Sequence, residues 1–524
     1  MTEELLTELD ELTELGDLGD CHAGAVPWRR LNPRMLLIHP LLELIRALPA
    51  LLGAALAGSS SGSGPLWGLA TAALVVALSV VRWFTTRYQI SATQVQLRRG
   101  LLRRTTVAAP LERVRTVDVT SHLLHRMFGL AKVVIGTGTS DRRGRGGITL
   151  DGLDSDVAHR LRDELLHVAP APAHQPARPC APAAPAPVEL ELARLDIGWL
   201  RYAPCTLSGA VTGLALLGVG WRIVSESDID LRKIGPLRAA TQYLRATPLW
   251  LDVIDIAALV AAFVALASTV GYLLAFWNFR LTRHPGGTLQ VTRGLLTSRA
   301  TSLERGRLRG VELSEPLLLR AVGGARCLAV ATGLRVGRGA ERGGTLLLPP
   351  APRQIAVLVG GAVLDADPFA PDSPLNRPLR RHGPDARRRR YVRACAVAAL
   401  LAGLVTIVVG LTGHGAAGLL SGPPLLAAGA FLAADRYRNL GHVTAGDYLI
   451  SRYGSVTRRH SVIAAEGIIG WNVRRTFFQR RVGLATLTAT TAAGKQRYHL
   501  PDVAVHEAIA VAGRLSPGLL DGFR

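Results

Sequence analysis

The stretch Arg99-Gly100-Leu101-Leu102-Arg103-Arg104-Thr105 is the first copy of a pattern that occurs three times in this chain of 524 residues. Three pairs of glycines share one spacing of 29 residues: Gly100 and Gly129, Gly294 and Gly323, and Gly454 and Gly483. An arginine lies three residues before the second glycine of every pair, at Arg126, Arg320 and Arg480. A spacing kept three times, with apolar neighbours in register, indicates an internal repeat.

Each copy is rich in strand-forming residues and ends in a helix pattern. In the first copy, residues 88–97 and 107–119 are predicted strands, and Gly100 between them predicts a hairpin turn with positive φ. Helices are predicted at the ends of the three copies, at residues 157–168, 354–363 and 503–513. Prolines at 349–352 and 501 are expected to open the second and third of these helices. The expected module is therefore a small curled antiparallel sheet closed by one helix.

Part of the chain has the composition of a protein embedded in lipid. Mean hydropathy is +0.24, and 48% of residues are hydrophobic. Helices are predicted in five apolar windows, the last long enough for two: residues 36–57, 65–81, 204–221, 256–277 and 394–434. These helices form three transmembrane pairs. Because the first window contains Glu43 and Arg46, it is read either as a span or as an interfacial amphipathic helix.

The distribution of charge predicts how the helix pairs are oriented. The chain has 61 basic and 39 acidic residues and a net charge of +22, and its first twenty residues contain eight acids and no Lys or Arg. Arginines are dense before and after the pairs, whereas the turns within the first and third pairs have none. The positive-inside rule therefore places both termini and all large segments in the cytoplasm. Because the arginines follow membrane flanks and repeat turns, nucleic acid is not an expected partner.

These patterns together predict an α+β membrane protein in which three pairs of transmembrane helices are each followed by a cytoplasmic module. The predicted order is an acidic N-terminal segment (1–30), helix pair 1 (36–83), module 1 (84–168), a Pro/Ala-rich linker (169–198), helix pair 2 (200–277) with an extracytoplasmic loop (225–248), module 2 (278–364), a second linker (365–390), helix pair 3 (391–435) and module 3 (436–524). Close packing of the second pair is predicted by Gly209-Ala-Val-Thr-Gly213, a spacing typical of membrane helix contacts.

Arginines near the repeat turns are the candidate contacts for anionic lipid headgroups or for a protein partner. They are Arg99, Arg103 and Arg104 in module 1, and Arg458 and Arg459 in module 3. The alternative is a solvated cytoplasmic face whose charge only sets topology. For the repeated Arg126, Arg320 and Arg480, the alternatives are a structural salt bridge and a ligand contact.

The sequence contains only near matches to the signatures of catalytic, cofactor and metal sites. Five scattered cysteines have no CxxC spacing, and His506-Glu507 lacks the second histidine of a zinc protease motif. Ser60 has a nucleophile-like spacing of glycines but lies in a low-complexity loop. No catalytic residue, cofactor or metal site is therefore predicted. A transport role would need polar residues that face a shared cavity, and the candidates are Glu43, Asp252, Asp255 and His414.

The repeat resembles a known family. Arg99 to Arg104, the segment Leu111-Glu112-Arg113-Val114, and residues 123–130 ending in Gly129-Leu130 resemble bacterial membrane proteins with PH-like domains of the second type, the YdbS/YdbT-like proteins. The second copy departs from the pattern with Leu303-Glu304-Arg305 shifted by two positions, and the third is looser. The resemblance implies a PH-like antiparallel barrel with a C-terminal helix, a location in the bacterial cytoplasmic membrane, and no known catalysis.

The expected function is that of a non-enzymatic scaffold or envelope-stress accessory protein. Its partners would be other proteins or anionic membrane lipid, held through the PH-like modules. The alternative is a component of a transport or export system. Neither reading requires a cofactor.

Overall fold

The structure is a computed structural model. It describes residues 28–41, 43–44, 47, 64–91, 93–100, 104–111, 114, 116–136, 148–167, 189–226, 248–333, 345–367, 369–370, 373–411 and 418–517. The chain divides into two compact units, the first comprising residues 1–114, 123–137 and 146–171 and the second all others. The acidic segment before residue 28, most of the Pro/Ala-rich linker and nearly all of the loop 225–248 lie outside the described residues.

Three blocks follow one another along the chain, each consisting of a short strand, apolar helices and a sheet repeat. Block 1 contains β1 (Arg29–Arg30), helical residues 35–41, α1 (Gly64–Thr85), β2 (Arg87–Ile90), β3 (Gln94–Arg99), β4 (Thr105–Pro110), β5 (Thr116–His122), α2 (Leu123–Met127), β6 (Leu130–Gly136), β7 (Ile148–Asp154) and α3 (Ser155–His167). Block 2 contains β8 (Leu190–Arg194), α4 (Leu207–Glu226), α5 (Leu249–Phe276), β9 (Arg280–Arg283), β10 (Leu289–Arg293), β11 (Thr297–Leu303), β12 (Leu308–Pro316), α6 (Leu317–Ala321), β13 (Gly324–Ala331), β14 (Leu346–Pro352) and α7 (Arg353–Val363). Block 3 contains β15 (Arg380–Arg381), α8 (Pro384–Leu411), α9 (Gly422–Arg438), β16 (Gly441–Ala445), β17 (Tyr448–Tyr453), β18 (Thr457–Ala464), β19 (Ile468–Arg474), α10 (Phe477–Arg481), β20 (Leu484–Thr491), β21 (Arg497–Ala504) and α11 (Val505–Leu515).

The first unit contains a four-stranded antiparallel sheet in the order β1-β2-β3-β4 and the hairpin formed by β6 and β7. Its strands alternate between a buried and an exposed face, as expected for a sheet with one wet side. Val95 and Leu97 of β3 are buried, whereas Arg98 is exposed. Met35 and Ile38 of the first helical segment pack on Leu130 of β6, so the helical segment and the repeat share a core.

In the second unit, strands of consecutive repeats pair with each other. The strand β5 of repeat 1 pairs with β11 of repeat 2, and the strand order continues with β10, β9 and β8. The strand β12 of repeat 2 pairs with β18 of repeat 3 in a sheet of the order β14-β13-β12-β18-β17-β16-β15. The remaining sheet has the order β19-β20-β21. This differs from the predicted modules, each of which was expected to close its own sheet. Strand pairing depends on register and on both faces of a strand, which the repeat pattern does not reveal.

The shared sheet of repeats 2 and 3 has a continuous core. Val311 and Leu313 of β12 are completely buried, and so are Ile450 of β17 and Val462 of β18 in the same cluster. Leu348 of β14 and Val359 of α7 close it from the other side. Repeats 2 and 3 therefore bury apolar surface jointly, and we expect neither to be fully stable without the other.

Apolar helices occur in the predicted windows 65–81, 204–221, 256–277 and 394–434, whereas most of the window 36–57 lies outside the described residues. Among the described residues, Trp250–Phe276 and Pro384–Leu411 are long and apolar enough to cross a membrane, judged by length and composition. Their side chains are largely exposed, for example Leu259 at 71% and Leu400 at 75%. A shorter apolar helix, Leu69–Thr85, lies in block 1. Two candidate membrane spans are thus present among the described residues, and the full set of three helix pairs stays a prediction.

The helices of block 2 pack through small residues. A Cβ on Gly213 would lie 3.1 Å from the Cα of Val264, and a Cβ on Gly209 would overlap with the side chain of Ser268. Ser268 also donates a hydrogen bond to the carbonyl of Ala203, at 2.6 Å. The close packing predicted from the two glycines is confirmed, because only residues without side chains allow this approach of α4 to α5.

The six repeat glycines all have positive φ. The first glycine of each pair follows β3, β10 or β17 and has φ of 108°, 106° and 106°, and the second has φ of 68°, 73° and 63°. A Cβ on Gly294 or Gly454 would overlap with the carbonyl oxygen of Thr297 or Thr457. Glycine is thus required at the hairpin both by the backbone conformation and by space.

Gly454→Ala should destabilise the second unit, because alanine both strains the left-handed backbone and meets the Thr457 carbonyl. We expect a loss of about 1–3 kcal/mol, measured as a lower melting temperature in detergent micelles. Gly470→Ala is the matched control, since Gly470 does not have a positive φ and has open space where its Cβ would be. Equal melting temperatures for the two variants would contradict this account of the hairpin.

Candidate membrane-proximal site

The last strand of each repeat contains an irregularity at the same place. The register shifts shortly after the second repeat glycine in three strand pairs: β6 with β7, β13 with β14, and β20 with β21. The shift leaves Gly152, Pro350 and Asp502 outside the ladder. A β-bulge of this kind frees a backbone carbonyl from the sheet. The freed carbonyls are therefore available to groups outside the sheet.

In all three repeats this freed carbonyl accepts a hydrogen bond from the base of the apolar helices. Asn32 donates its backbone N–H to Gly152, at 3.2 Å, just before the first helical segment. The Tyr272 hydroxyl of α5 donates to Pro350, at 2.9 Å. The Nδ1 atom of His382, a residue just before α8, lies 3.0 Å from the carbonyl oxygen of Asp502. One backbone position thus attaches each repeat to its helices.

Repeat 3 strengthens this attachment with buried charge. The side chain of Asp502 is only 1% exposed and forms ion pairs with Arg389 and Arg390 in the first turns of α8. Gln479 of α10 donates a further hydrogen bond to the same carboxylate, at 2.9 Å. Removing one partner of such a buried pair is strongly destabilising, because the remaining charge is left uncompensated. We therefore regard Asp502 as a structural anchor for α8.

A pair of buried histidines lies beside Asp502. Because the Asp502 carbonyl can only accept, His382 must donate from Nδ1, and its Nε2 then accepts from His442 Nδ1 at 2.9 Å. His442 Nε2 lies 3.9 Å from Glu507, which also pairs with Arg380. Burial, together with the neighbouring His442, lowers the pKa of His382 to about 4. Burial also lowers the pKa of His442, so both rings are neutral at neutral pH.

A small cavity of about 110 Å³ lies at the corresponding place in the first unit. Its walls come from the first helical segment, the end of α1 and strands β3, β6 and β7, and the polar residues among them are His39, Thr86, Arg99, Lys132, Thr149 and Asp151. Lys132 lies 3.5 Å from Asp151, and His125 lies 3.3 Å from it. Burial favours the neutral acid, but His125 and Lys132 outweigh it and lower the pKa of Asp151.

Three exposed arginines lie side by side on the outer face of the first sheet. Arg30 of β1 is paired in register with Arg87 of β2, which is paired with Arg98 of β3. The Arg98 guanidinium stacks on Trp28, 4.7 Å from the ring centroid. Within the described ranges, no acidic side chain forms an ion pair with any of the three. Like charges directly opposite each other destabilise a sheet, so this arginine row favours an anionic partner.

The predicted contact residues have different surroundings. Arg99 lines the cavity, Arg104 is exposed, and Arg103 lies outside the described residues. Arg458 and Arg459, in contrast, take part in the junction of repeats 2 and 3. Arg458 pairs with the buried Glu315, which also lies 3.2 Å from Arg353. These two repeat 3 arginines therefore differ from Arg99 and Arg104 in having buried acids beside them.

A second buried acid completes this junction. Glu312 is 2% exposed and pairs with Lys495, and Arg459 lies 3.9 Å away. His460 is buried beside Leu313, and burial, with the nearby Arg452 and Arg353, lowers its pKa to about 3. The junction thus holds charge and a neutral imidazole away from solvent.

The other predicted residues can be located as well. Arg320 forms a salt bridge with Asp435 at the end of α9, at 2.9 Å, whereas Arg126 and Arg480 are exposed. Of the acids considered for transport, Asp255 is exposed, Asp252 is half-buried, and Glu43 lies 3.8 Å from His39. His414 and Ser60 lie outside the described residues.

The repeated antiparallel sheets, each with a C-terminal helix and apolar helices before it, define an α+β protein with repeated modules. A family model for the bacterial PH domain matches residues 43–169 and 390–518. The chain therefore belongs to the bacterial PH domain family and carries two copies of the domain. The segment between them is not matched, although β9 to α7 follow the same order of strands and helices. No curated protein and no solved structure matches the chain.

Sequence reasoning missed the arginine row and the bulges. Arg30 and Arg87 were interpreted only as membrane flanks, because their pairing with Arg98 depends on strand register. As expected, Pro352 is the N-cap of α7, but Pro349, Pro350 and Pro501 lie within β14 and β21, at or next to the freed carbonyls. Their position just before a helix, together with Gly152 at the equivalent place, is the signal that could have revealed the bulges.

The buried His460 should make the second unit less stable in acid. Its pKa is about 3 in the folded chain and close to 6.5 when unfolded, so only the unfolded chain takes up a proton as the pH falls below about 6.5. Lowering the pH from 7 to 5 should therefore cost about 2 kcal/mol through this residue alone. His460→Leu should reduce the fall in melting temperature between these pH values.

His506→Leu is the control for this measurement, because His506 is exposed on α11. It should keep the wild-type dependence on pH. If His460→Leu and wild type lose equal stability between pH 7 and 5, His460 does not carry the proposed linkage.

Proposed function

We propose that this protein is a non-enzymatic scaffold of the bacterial cytoplasmic membrane, with both termini in the cytoplasm, whose first repeat binds anionic lipid headgroups. The observation that carries the proposal is the row Arg30–Arg87–Arg98, three exposed cations without an acidic partner among the described residues. Its chemistry fits phosphate groups, which accept hydrogen bonds from guanidinium groups.

The position of the row supports a membrane surface as its ligand. Arg87 lies two residues after the end of α1, or about 7 Å along an extended strand. The row Arg30–Arg87–Arg98 thus lies close to the end of an apolar helix. If that helix enters the bilayer, the row lies at headgroup level. An arginine near an anionic surface gains about 1 kcal/mol, so three would contribute about 3 kcal/mol.

The cavity beneath the same sheet extends this binding surface. Arg99 and Lys132 both line it, on the side of β3 opposite to Arg98. A volume of about 110 Å³ corresponds to roughly four water molecules. Lys132 is already paired with Asp151, so Arg99 is the cation through which we infer that the cavity accepts a small group such as a headgroup phosphate, whereas an acyl chain is too large for it.

The buried charges of the second unit support a structural role. Glu312, Glu315 and Asp502 each pair with lysine or arginine across different elements. Such pairs fix strands and helices in place and leave no free base for catalysis at these positions. This supports a scaffold rather than an enzyme, and partner proteins would then bind to the repeats.

Replacing Arg30, Arg87 and Arg98 by glutamine should weaken binding of anionic lipid. Phosphatidylglycerol added to neutral detergent micelles should raise the melting temperature of the wild-type chain, and high salt should reduce this rise. The triple variant should lose most of the rise, since about 3 kcal/mol corresponds to roughly 150-fold in affinity.

The matched control removes three charges elsewhere, by changing Arg481, Arg497 and Arg514 to glutamine; all three are exposed in repeat 3. It should keep the response to phosphatidylglycerol, and phosphatidylcholine should have little effect on any variant. An equal response of the two triple variants would show that net charge, not the arginine row, accounts for lipid binding.

A further inference from the structure

Among the described residues, the outer edge of β19 has no ladder partner, whereas the equivalent strands β5 and β12 of the earlier repeats are paired on both edges. We propose that this edge binds a β-strand of a bacterial PH repeat on a second polypeptide, one that carries a carboxylate opposite Arg475. This inference deepens the scaffold role by naming a class of partner, and it does not depend on lipid binding.

The two internal junctions of the second unit have the same register. His122 of β5 lies opposite Thr297 of β11, and Pro316 of β12 lies opposite Thr457 of β18. His122 and Pro316 each lie seven positions before the second glycine of their own repeat. Their partners, Thr297 and Thr457, each lie three positions after the first glycine of the next repeat. The family repeat therefore pairs with the next repeat in a defined register, through β5 in repeat 1 and β12 in repeat 2.

The strand β19 occupies the same position in repeat 3, where no strand of another repeat is placed beside it among the described residues. Within the described part of the chain, its only ladder partner is β20. By the glycine spacing, Val473 is equivalent to Leu313; Leu313 is completely buried at its junction, whereas Val473 is 47% exposed. Ile469 is 64% exposed on the same strand. An apolar, unpaired edge is a template for strand addition by another chain.

Charge indicates which strand fits this edge. In the internal junction, Glu315 faces Arg458 in register and pairs with it. The same spacing places Arg475 at the position of Glu315, so a matching strand needs an acid where β18 has Arg458. In a second copy of this chain, Arg104, directly before β4, occupies that position. Two arginines directly opposite each other disfavour pairing, so the edge selects a different, acidic partner.

A charge-reversed copy of this chain can act as the probe partner. Arg104→Glu supplies the carboxylate directly before β4, whose outer edge is also unpaired in the described residues. The register places Thr105 of one copy opposite Arg474 of another. We would combine one copy carrying Arg474→Cys with a second copy, differently tagged, carrying Thr105→Cys and Arg104→Glu. Oxidation in neutral micelles without anionic lipid would then report head-to-tail pairing as a disulfide-linked dimer, with the native cysteines alone as baseline.

The expected yield of this dimer is about tenfold higher than with Arg104 retained, because an attractive pair replaces a repulsive one. Arg497→Glu in place of Arg104→Glu is the matched control and should leave the yield at the level seen with Arg104. When the first copy carries Arg475→Glu and the second carries Arg104→Glu, two acids face each other and the dimer yield should fall back to the level seen with two arginines. When the first copy carries Arg475→Glu and the second keeps Arg104, an attractive pair is present again and the high yield should return. This last combination also shows that the reversed variants are folded.

Two results would overturn the proposal. If Arg104→Glu gives no more dimer than the native Arg104, β19 is not a docking edge. If the native Arg104 already gives the full yield, charge does not select the partner and the edge binds a second copy of this chain. Because lipid is absent, neither result bears on the arginine row, whose failure would appear only in the phosphatidylglycerol measurement.

Discussion

The hydrogen bond from the base of the apolar helices to a bulged strand carbonyl is the interaction on which the arrangement of each repeat depends. It uses Gly152, Pro350 and Asp502 in turn, three residues with unrelated side chains, because the backbone supplies the acceptor. Since β1, β8 and β15 also pair with the first strand after the helices, both ends of each helical segment are held at one sheet edge. That geometry is consistent with helices that leave and re-enter on one side of a membrane.

Pairing between consecutive repeats has a different consequence. Because β12 belongs to repeat 2 but pairs with β18 of repeat 3, the buried acids Glu312 and Glu315 meet their cations across the junction. The cost of burying Glu312 is offset only when both repeats are folded, whereas Glu315 also has Arg353 of its own repeat beside it. The repeats of the second unit are thus energetically coupled, and a module cut out at the sequence boundaries would lose the ion pairs across the junction and expose an apolar strand.

The sequence predicted the repeat, its strands and several helices, because glycine at positive φ and apolar length are local properties. Positive φ occurs at Gly100, Gly294 and Gly454, and the helix Trp250–Phe276 has the predicted apolar length. It did not predict which strands pair, since register depends on contacts between distant segments. For the same reason it grouped Arg99 with Arg458, although one lines a cavity and the other pairs with Glu315.

The large positive charge of the chain therefore has at least two physical roles. Arg389, Arg390 and Arg458 are paired with buried acids, so their charge is used in holding helices and strands together. Arg30 and Arg87 face each other on an exposed sheet without a described acid, and an external anion would relieve their mutual repulsion. A count of arginines does not separate these roles, whereas the register of the strands does. Recognition in this protein is therefore expected where the fold leaves cations adjacent and unpaired.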